Sequence, residues 1–166
     1  MKYRKHIRLK NYDYSSNGYY FVTIVTHNRL PLFVAAPSYG AKSFRNIVDE
    51  KIQQISKYYS GVSVDYYKVM PEHIHMIIVL EDVKVTLAKI VNAFKSWITR
   101  DIKKILASQG DKTASQGDAA TNKLVYIFQP NYYKHIIRNE KALDKIRKYI
   151  EFNPDAEKLN WEELEK

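Results

Sequence analysis

Two histidines, with one residue between them, form the run His73-Ile74-His75 within a β-branched and apolar stretch. In an extended strand, residues i and i+2 point to the same face, so both imidazoles would lie side by side while Ile74 faces the core. Neutral imidazoles on one rigid strand supply two of the ligands that a divalent ion requires. Alternatively, both histidines are ordinary surface residues of an edge strand, and the pair alone does not decide between these interpretations.

A second pair of candidate residues, Tyr149 and Asn153, lies four positions apart near the C-terminal end. On a helix this spacing puts both side chains on one face. The side-chain carbonyl of Asn suits a hard cation, and the phenol of Tyr can act as a nucleophile near a metal-bound phosphate. Its usual pKa of about 10 means that the phenol needs help from the cation or from a nearby base. In the competing interpretation Tyr149 is a core aromatic and Asn153 only ends a helix before Pro154.

Composition limits the chemistry of such residues. The 166-residue chain carries 27 Lys and Arg against 18 Asp and Glu, a net charge of +9, and it contains no cysteine. The lack of cysteine excludes a disulfide framework, zinc–thiolate and iron–sulfur sites, and a thiol nucleophile. The positive charge indicates a polyanionic partner, first of all nucleic acid, although a basic domain that is merely soluble has the same charge.

Membrane association is not expected from the hydropathy pattern. No apolar run approaches the roughly 20 residues that span a bilayer. The N-terminal run MKYRKHIRLK is basic but lacks the apolar region of a signal peptide. We therefore predict a cytoplasmic protein without a membrane partner.

Hydrophobic periodicity predicts the elements that must position these residues. Alternating β-branched and aromatic runs predict four strands, at residues 19–27, 62–70, 73–81 and 123–128. Apolar residues at helical spacing predict three helices, at about residues 41–59, 86–106 and 139–153. The segment between the fourth strand and the last helix is expected to be a loop or an extended connection.

The predicted order of elements is β-α-β-β-α-β-α, and its first six members match the split βαβ, ferredoxin-like plan. The fold class is therefore α+β: an antiparallel sheet with helices on one face and an additional C-terminal helix carrying Tyr149. We expect one domain over residues 1–166. It includes a basic N-terminal arm (1–17), a low-complexity loop (107–121) in which ASQGDKT is followed by ASQGDAA, and an acidic tail (155–166).

Three sequence blocks carry a resemblance to a known family. They are GYYFVTIVTHNR near the start, VMPEHIHMIIVL in the middle and FQPNYYKHIIRNEKALDKIRKYIEFNP near the end. Their order and spacing resemble those of the single-tyrosine HUH transposases, named for a histidine–hydrophobic–histidine motif. Within that group the likeness is greatest to the REP-associated tyrosine transposases, and it covers roughly residues 4–161 apart from the repeat loop.

The resemblance implies a role for each candidate residue. His73 and His75 match the family's two metal-binding histidines, Tyr149 matches the nucleophilic tyrosine, and Asn153 matches the third metal ligand. Insertion-sequence members often have glutamine at that last position, so asparagine favours the REP-associated branch. Glu72, beside the histidines, is a candidate to orient one imidazole from behind.

The implied activity is cleavage and rejoining of single-stranded DNA that contains a hairpin, with Mg²⁺ or Mn²⁺ as cofactor and a 5′-phosphotyrosine intermediate. The partner is then a single-stranded DNA hairpin, and the protein is a monomer or a homodimer. Candidate phosphate contacts come from the N-terminal arm, the second helix and the C-terminal block: Arg4, Lys5, Arg8, Lys10, Lys95, Lys134, His135, Arg138 and Lys148. Tyr132 and Tyr133 either stack on unpaired bases or pack in the core.

Two alternatives stay open at this point. One is a non-catalytic ferredoxin-like module that binds nucleic acid through exposed aromatics on its sheet. Such a module has no use for a His, His, Asn and Tyr set. The other is a degenerate transposase that retains DNA binding without the chemistry.

Overall fold

Four antiparallel strands form the sheet that carries the histidine pair. They are β1 (Gly18–Val25), β2 (Val62–Val69), β3 (His73–Leu80) and β4 (Tyr133–Ile137), in the spatial order β2-β3-β1-β4. This computed structural model describes residues 12–34, 43–108 and 126–152. Residues 1–11 of the basic arm, residues 109–121 of the repeat loop, Asn153 and the acidic tail lie outside the described residues, whereas residues 107 and 108 of the predicted loop belong to the last helical turn before it.

Three helices pack on the two faces of this sheet: α1 (Phe44–Tyr58), α2 (Leu87–Ser108) and α3 (Glu140–Phe152). The first two helices bury their apolar stripes against Tyr20, Val22 and Ile24 of β1. The third helix packs on the opposite face, where Ile146 and Ile150 meet Phe21 and Ile77 of the sheet. The α+β fold class and the antiparallel ferredoxin-like plan are confirmed, and the additional C-terminal helix partly covers the second face.

The fourth strand is not where the sequence placed it. Residues 123–125 of the predicted strand lie outside the described residues, and Phe128 makes only one isolated bridge, to Thr26. The strand that pairs with β1 is instead Tyr133–Ile137, which was expected to be a loop or an extended connection. Pro130 has no N–H to offer a ladder, so it separates the two segments. Ile127 and Phe128 are buried, so their apolar character reflects core packing and not strand pairing.

An ion pair joins the two helices of the larger layer. Lys51 of α1 is buried, and its Nζ lies 2.6 Å from a carboxylate oxygen of Asp101 on α2. A buried charge needs such a partner, because removal from water without one is costly. The pair therefore fixes how α1 and α2 lie against one another.

Polar contacts to β2 hold α3 in place. Arg147 of α3 donates two hydrogen bonds to the carboxylate of Asp65, at 2.8 and 2.6 Å, and a further one to Asp144 at 3.2 Å. Lys68 of β2 donates to the backbone oxygen of Glu151 in the last turn of the helix. At the other end, the side chain of Asn139 caps the helix by accepting from the N–H of Ala142 at 2.8 Å.

No helix among the described residues is long and apolar enough to cross a membrane. The longest, α2, has four lysines and one arginine along its length.

The turn between α1 and β2 depends on Gly61. Its φ of +77° lies in the left-handed region, and a Cβ at this position would collide with the backbone oxygen of Glu81. We expect Gly61→Ala to lower the free energy of unfolding by at least about 2 kcal/mol, from backbone strain together with the collision. Urea unfolding, monitored by circular dichroism, measures this change in the free energy of unfolding. Gly18→Ala is the control, since Gly18 also has positive φ but open space around the Cβ; an equal loss at both positions would contradict the steric explanation.

The bidentate contact between Arg147 and Asp65 should stabilise the docked position of α3. Asp65→Asn removes a charge-assisted, two-bond interaction, and we expect a loss of about 1 kcal/mol. Asp144→Asn removes only a single exposed contact and should cost about 0.3 kcal/mol or less. Urea midpoints for the two variants, measured side by side, provide the comparison. Equal midpoints would mean that the pair to Asp65 contributes no more than an ordinary surface contact.

Candidate active site

The two histidines of β3 lie side by side on the α3 face of the sheet. Their Nε2 atoms are 3.1 Å apart and their ring centroids 4.5 Å apart, while Ile74 is fully buried on the opposite face. This is the arrangement that the i, i+2 spacing predicts for a strand. The pair is on a central strand, between β1 and β2, and not on an edge.

Pairing between β1 and β3 brings a third polar group to the histidines. Thr23 is the direct cross-strand partner of His75, and its Oγ1 lies 2.8 Å from Nδ1 of that ring. When Nδ1–H donates to this hydroxyl, Nε2 presents a lone pair on the side of His73. Sequence reasoning missed Thr23, because its position opposite His75 depends on the register of two strands separated by 48 or more residues.

Burial keeps both imidazoles neutral at neutral pH. Burial, together with the smaller effect of the neighbouring His73, lowers the pKa of His75 to about 3. Burial also lowers the pKa of His73, against the opposing influence of the Glu72 carboxylate. The neutral ring is the form that ligates a metal ion, so the local environment favours that role.

The separation of the two Nε2 atoms fits a shared divalent ion. Octahedral coordination with bonds of about 2.1 Å places neighbouring ligand atoms about 3 Å apart, close to the 3.1 Å found here. Within residues 12–34, 43–108 and 126–152, no group of three or more His, Cys, Asp or Glu side chains could hold a metal. Asn153, the predicted third ligand, lies outside the described residues, one position beyond the end of α3.

The predicted nucleophile lies next to the histidine pair. Tyr149, on the last turns of α3, has its ring centroid 5.5 Å from that of His75 and 6.2 Å from that of Phe21. Phe21 also stacks on His75, at 5.4 Å between centroids. The phenol is half-buried at the edge of the smaller core, where a substrate can reach it.

Glu72 contacts an arginine that the sequence analysis did not select. Its Oε1 lies 2.5 Å from the guanidinium of Arg29 and 3.9 Å from Nδ1 of His73, too far for a hydrogen bond to the ring. Nδ1 of His73 is buried without a hydrogen-bond partner in the described part of the chain. Arg29 belongs to a tight turn, His27–Arg29, in which Asn28 and Arg29 have φ of 51° and 55°.

Two of the predicted phosphate contacts lie away from the histidines. Lys134 is buried, with its Nζ 4.1 Å from the ring centre of Tyr14, and it pairs with Val22, whose side chain is in the larger core. Lys95 of α2 donates to the backbone oxygens of Gln129 and Pro130, at 2.6 and 3.0 Å. Their positive charge alone predicted exposed side chains, but both amines pack on the side of the sheet that α1 and α2 cover.

Other predicted contacts are on or near the histidine face. His135 pairs with Phe21, and Tyr133 pairs with Thr23, so both side chains point to that face. Arg138 and Lys148 are exposed, just after β4 and next to Tyr149. The four basic residues of the arm, Arg4, Lys5, Arg8 and Lys10, lie outside the described residues.

Comparisons with known proteins indicate a family for this chain. The family model described as IS200-like transposase matches residues 14–153. An uncharacterized protein of Haemophilus influenzae is 29% identical over 184 residues, covering 97% of this chain and 91% of the relative. A second protein of that organism, described as a "putative REP-associated tyrosine transposase", is 24% identical over 148 residues, covering 88% of this chain and 76% of its own length.

A solved structure shares the fold. It is the REP-associated tyrosine transposase bound to a REP hairpin, with a TM-score of 0.59 and 20% identity, covering 93% of this chain and 72% of that one. The resemblance to REP-associated tyrosine transposases, which the three sequence blocks indicated, is thus confirmed. Since the family model spans most of the sequence, from before β1 to the end of α3, the chain belongs to the family of IS200-like transposases.

Proposed function

We propose that this transposase is a metal-dependent, single-tyrosine HUH enzyme that cuts and rejoins hairpin-containing single-stranded DNA through a 5′-phosphotyrosine intermediate. The main support is the position of the Tyr149 ring, 5.5 Å from His75, beside two imidazoles whose Nε2 atoms converge at 3.1 Å. A nucleophile beside two potential metal ligands can support phosphoryl transfer without a bound nucleotide.

Tyr149 forms and breaks the covalent bond. Its phenolic oxygen attacks the scissile phosphorus in line, the bond to the 3′ oxygen breaks, and the leaving strand takes a proton to become a 3′-hydroxyl. The phenolic proton passes to water or to a nearby base. The 5′-phosphotyrosine bond keeps the energy of the phosphodiester, so a second 3′-hydroxyl can attack it and release the phenol.

His73, His75 and Asn153 are the residues that would hold the divalent ion. When bound, Mg²⁺ or Mn²⁺ supplies Lewis-acid polarisation of a non-bridging phosphate oxygen. Asn153 follows directly after the helix that carries Tyr149, four positions further along the chain. When the Nδ1–H of His75 donates to Thr23, the Nε2 lone pair of His75 faces His73, where the shared ion would bind.

A DNA hairpin is the proposed substrate. Supporting it, the solved structure of similar fold is a transposase bound to a REP hairpin. The aromatic ring of Tyr133 and the imidazole of His135 lie on the histidine face, where an unpaired base could stack on them, and Arg138 and Lys148 add exposed positive charge near it. Glu72 would act through Arg29 and not by holding His73 directly.

Replacement of Tyr149 by phenylalanine removes the phenolic oxygen and tests the proposed nucleophile. We expect Tyr149→Phe to abolish the covalent protein–DNA adduct on labelled single-stranded hairpin DNA with Mn²⁺, while DNA affinity changes less than about threefold, because the ring still packs on His75 and Phe21. A denaturing gel detects the adduct, and a gel-shift assay reports binding.

Tyr66→Phe is the matched control, since Tyr66 also packs at the smaller core but on β2. It should form the adduct at the wild-type level. Adduct formation by Tyr149→Phe would overturn the assignment of the nucleophile. If the wild-type protein binds the hairpin but never forms an adduct with any divalent ion, the chain is a DNA-binding module or a degenerate transposase.

The hydroxyl of Thr23 tests the metal site. We expect Thr23→Val, which keeps the shape of the side chain, to weaken Mn²⁺ binding about 10- to 100-fold, because the proton on His75 is no longer directed to Nδ1. Thr23→Ser keeps the hydroxyl and should bind Mn²⁺ within about threefold of the wild type. Electron paramagnetic resonance of free Mn²⁺ measures both constants without DNA. Equal affinities for the Val and Ser variants would show that Thr23 has no part in metal binding.

A further inference from the structure

A cluster of aromatic side chains lies on the helical layer, away from the histidines. The rings of Tyr59 and Trp97 are stacked, with centroids 6.3 Å apart and planes at 23°. Tyr58 meets both rings edge-on, at 4.9 and 5.1 Å. Tyr58 is 69% exposed, which is a large apolar surface to leave in water without a partner.

This cluster forms one wall of an open cleft between α1 and α2, of about 280 Å³. Five side chains line it: Gln54, Lys57, Tyr58, Trp97 and Arg100. Two aromatic rings, two cations and one amide are therefore brought together, and no acidic side chain is among them. The remaining polar group, the amide of Gln54, offers both a donor and an acceptor.

The charge around the cleft is positive. Asp101 of α2 lies 2.6 Å from Lys51 and 3.9 Å from Arg100, so its carboxylate is shared by two cations. Lys57 forms no ion pair within the described part of the chain, and Lys103 and Lys104 continue the basic surface of α2 by one turn. Glu50, two turns earlier on α1, is the nearest acidic residue on that helix.

The location separates the cleft from the active site. Both helices that line it pack on the Tyr20 and Ile24 face of β1, whereas the histidine pair and Tyr149 are on the other face. The sheet and the larger core therefore lie between the two surfaces. A strand held at the histidines cannot place the same nucleotides in the cleft.

We propose that this aromatic–basic cleft is a second nucleic-acid site that holds an unpaired segment of single-stranded DNA. One base stacks on Tyr58 against the indole of Trp97, the amide of Gln54 contacts its edge, and Lys57 and Arg100 bind the flanking phosphates. Base stacking on aromatics combined with backbone neutralisation is the usual means by which single strands bind without sequence preference. A protein partner or a second copy of this chain would gain less from Lys57, which has no ion pair among the described residues, and from Arg100, which shares its carboxylate with Lys51.

Trp97 provides a local readout. The chain has two tryptophans, so Trp161→Phe leaves Trp97 as the only indole. Titration of this protein with a ten-nucleotide oligo(dT), with EDTA present, should quench its fluorescence in a saturable manner. Tyr58→Ala in the same background should raise the apparent Kd about 10-fold, the loss expected for one stacked base. Tyr126→Ala is the matched control, because Tyr126 is 64% exposed but lies outside the cleft, and it should leave the Kd unchanged.

The contribution of Lys57 and Arg100 can be measured separately, from the salt dependence of binding. Lys57→Gln together with Arg100→Gln leaves the aromatic cluster intact and should reduce the slope of log K against log salt concentration by about 1.4, from two lost phosphate contacts on a single strand. Thermal unfolding of each variant checks that the fold is retained. This second variant keeps the test decisive if Tyr58→Ala is unstable.

Three outcomes would overturn the inference. The first is oligo(dT) binding, seen by anisotropy, that leaves Trp97 fluorescence unchanged. The second is an unaltered Kd in Tyr58→Ala and an unaltered salt slope in the double variant. The third is a change in Trp97 fluorescence with protein concentration alone, which would mean that a second copy covers the cleft. Tyr149→Phe should quench like the wild type, so failure of the proposed catalytic role leaves this test unaffected.

Discussion

The antiparallel register between β1 and β3 is the constraint on which the remaining site geometry depends. It places Thr23 opposite His75 and Val25 opposite His73, and it directs both imidazoles to the face that α3 covers. A slip of one residue would exchange the faces of every side chain on the strand and bury the imidazoles in the larger core. β1 also pairs with β4 on its other edge, so the same strand brings Tyr133 and His135 to that face.

Desolvation has a specific role at this site. His75 is almost completely buried, yet its two ring nitrogens face Thr23 and His73, so burial does not leave the ring without polar neighbours. A buried imidazole is held neutral, and a neutral imidazole has a lone pair to offer a cation. The half-buried Tyr149 stands at the boundary of this dry region, where it meets both the histidines and the solvent side of the site.

Local pattern was sufficient for part of this description. The alternation in His73-Ile74-His75 predicted two rings on one face, and the spacing of apolar residues predicted three helices to within a few residues. Tertiary information decided the rest. Thr23 reaches His75 only through strand pairing, and Arg29 reaches Glu72 from a turn with positive φ; no local motif encodes either contact. The fourth strand was misplaced because the apolar residues Ile127 and Phe128 pack in the core and form no strand ladder. The observed strand, β4, contains polar residues and lies at the edge of the sheet.

The two faces of the sheet bury very different amounts of apolar surface. The layer beneath α1 and α2 contains most of the core, and the cluster beneath α3 is much smaller. The larger apolar core therefore lies on one side of the sheet and the histidines and Tyr149 lie on the other, while successive residues of β1 and β3 alternate between the two sides. If the α3 face acts as proposed, substitutions there would change the chemistry or the DNA preference while the larger core preserves folding. Such a division would let relatives with this fold acquire new target sequences without first becoming more stable.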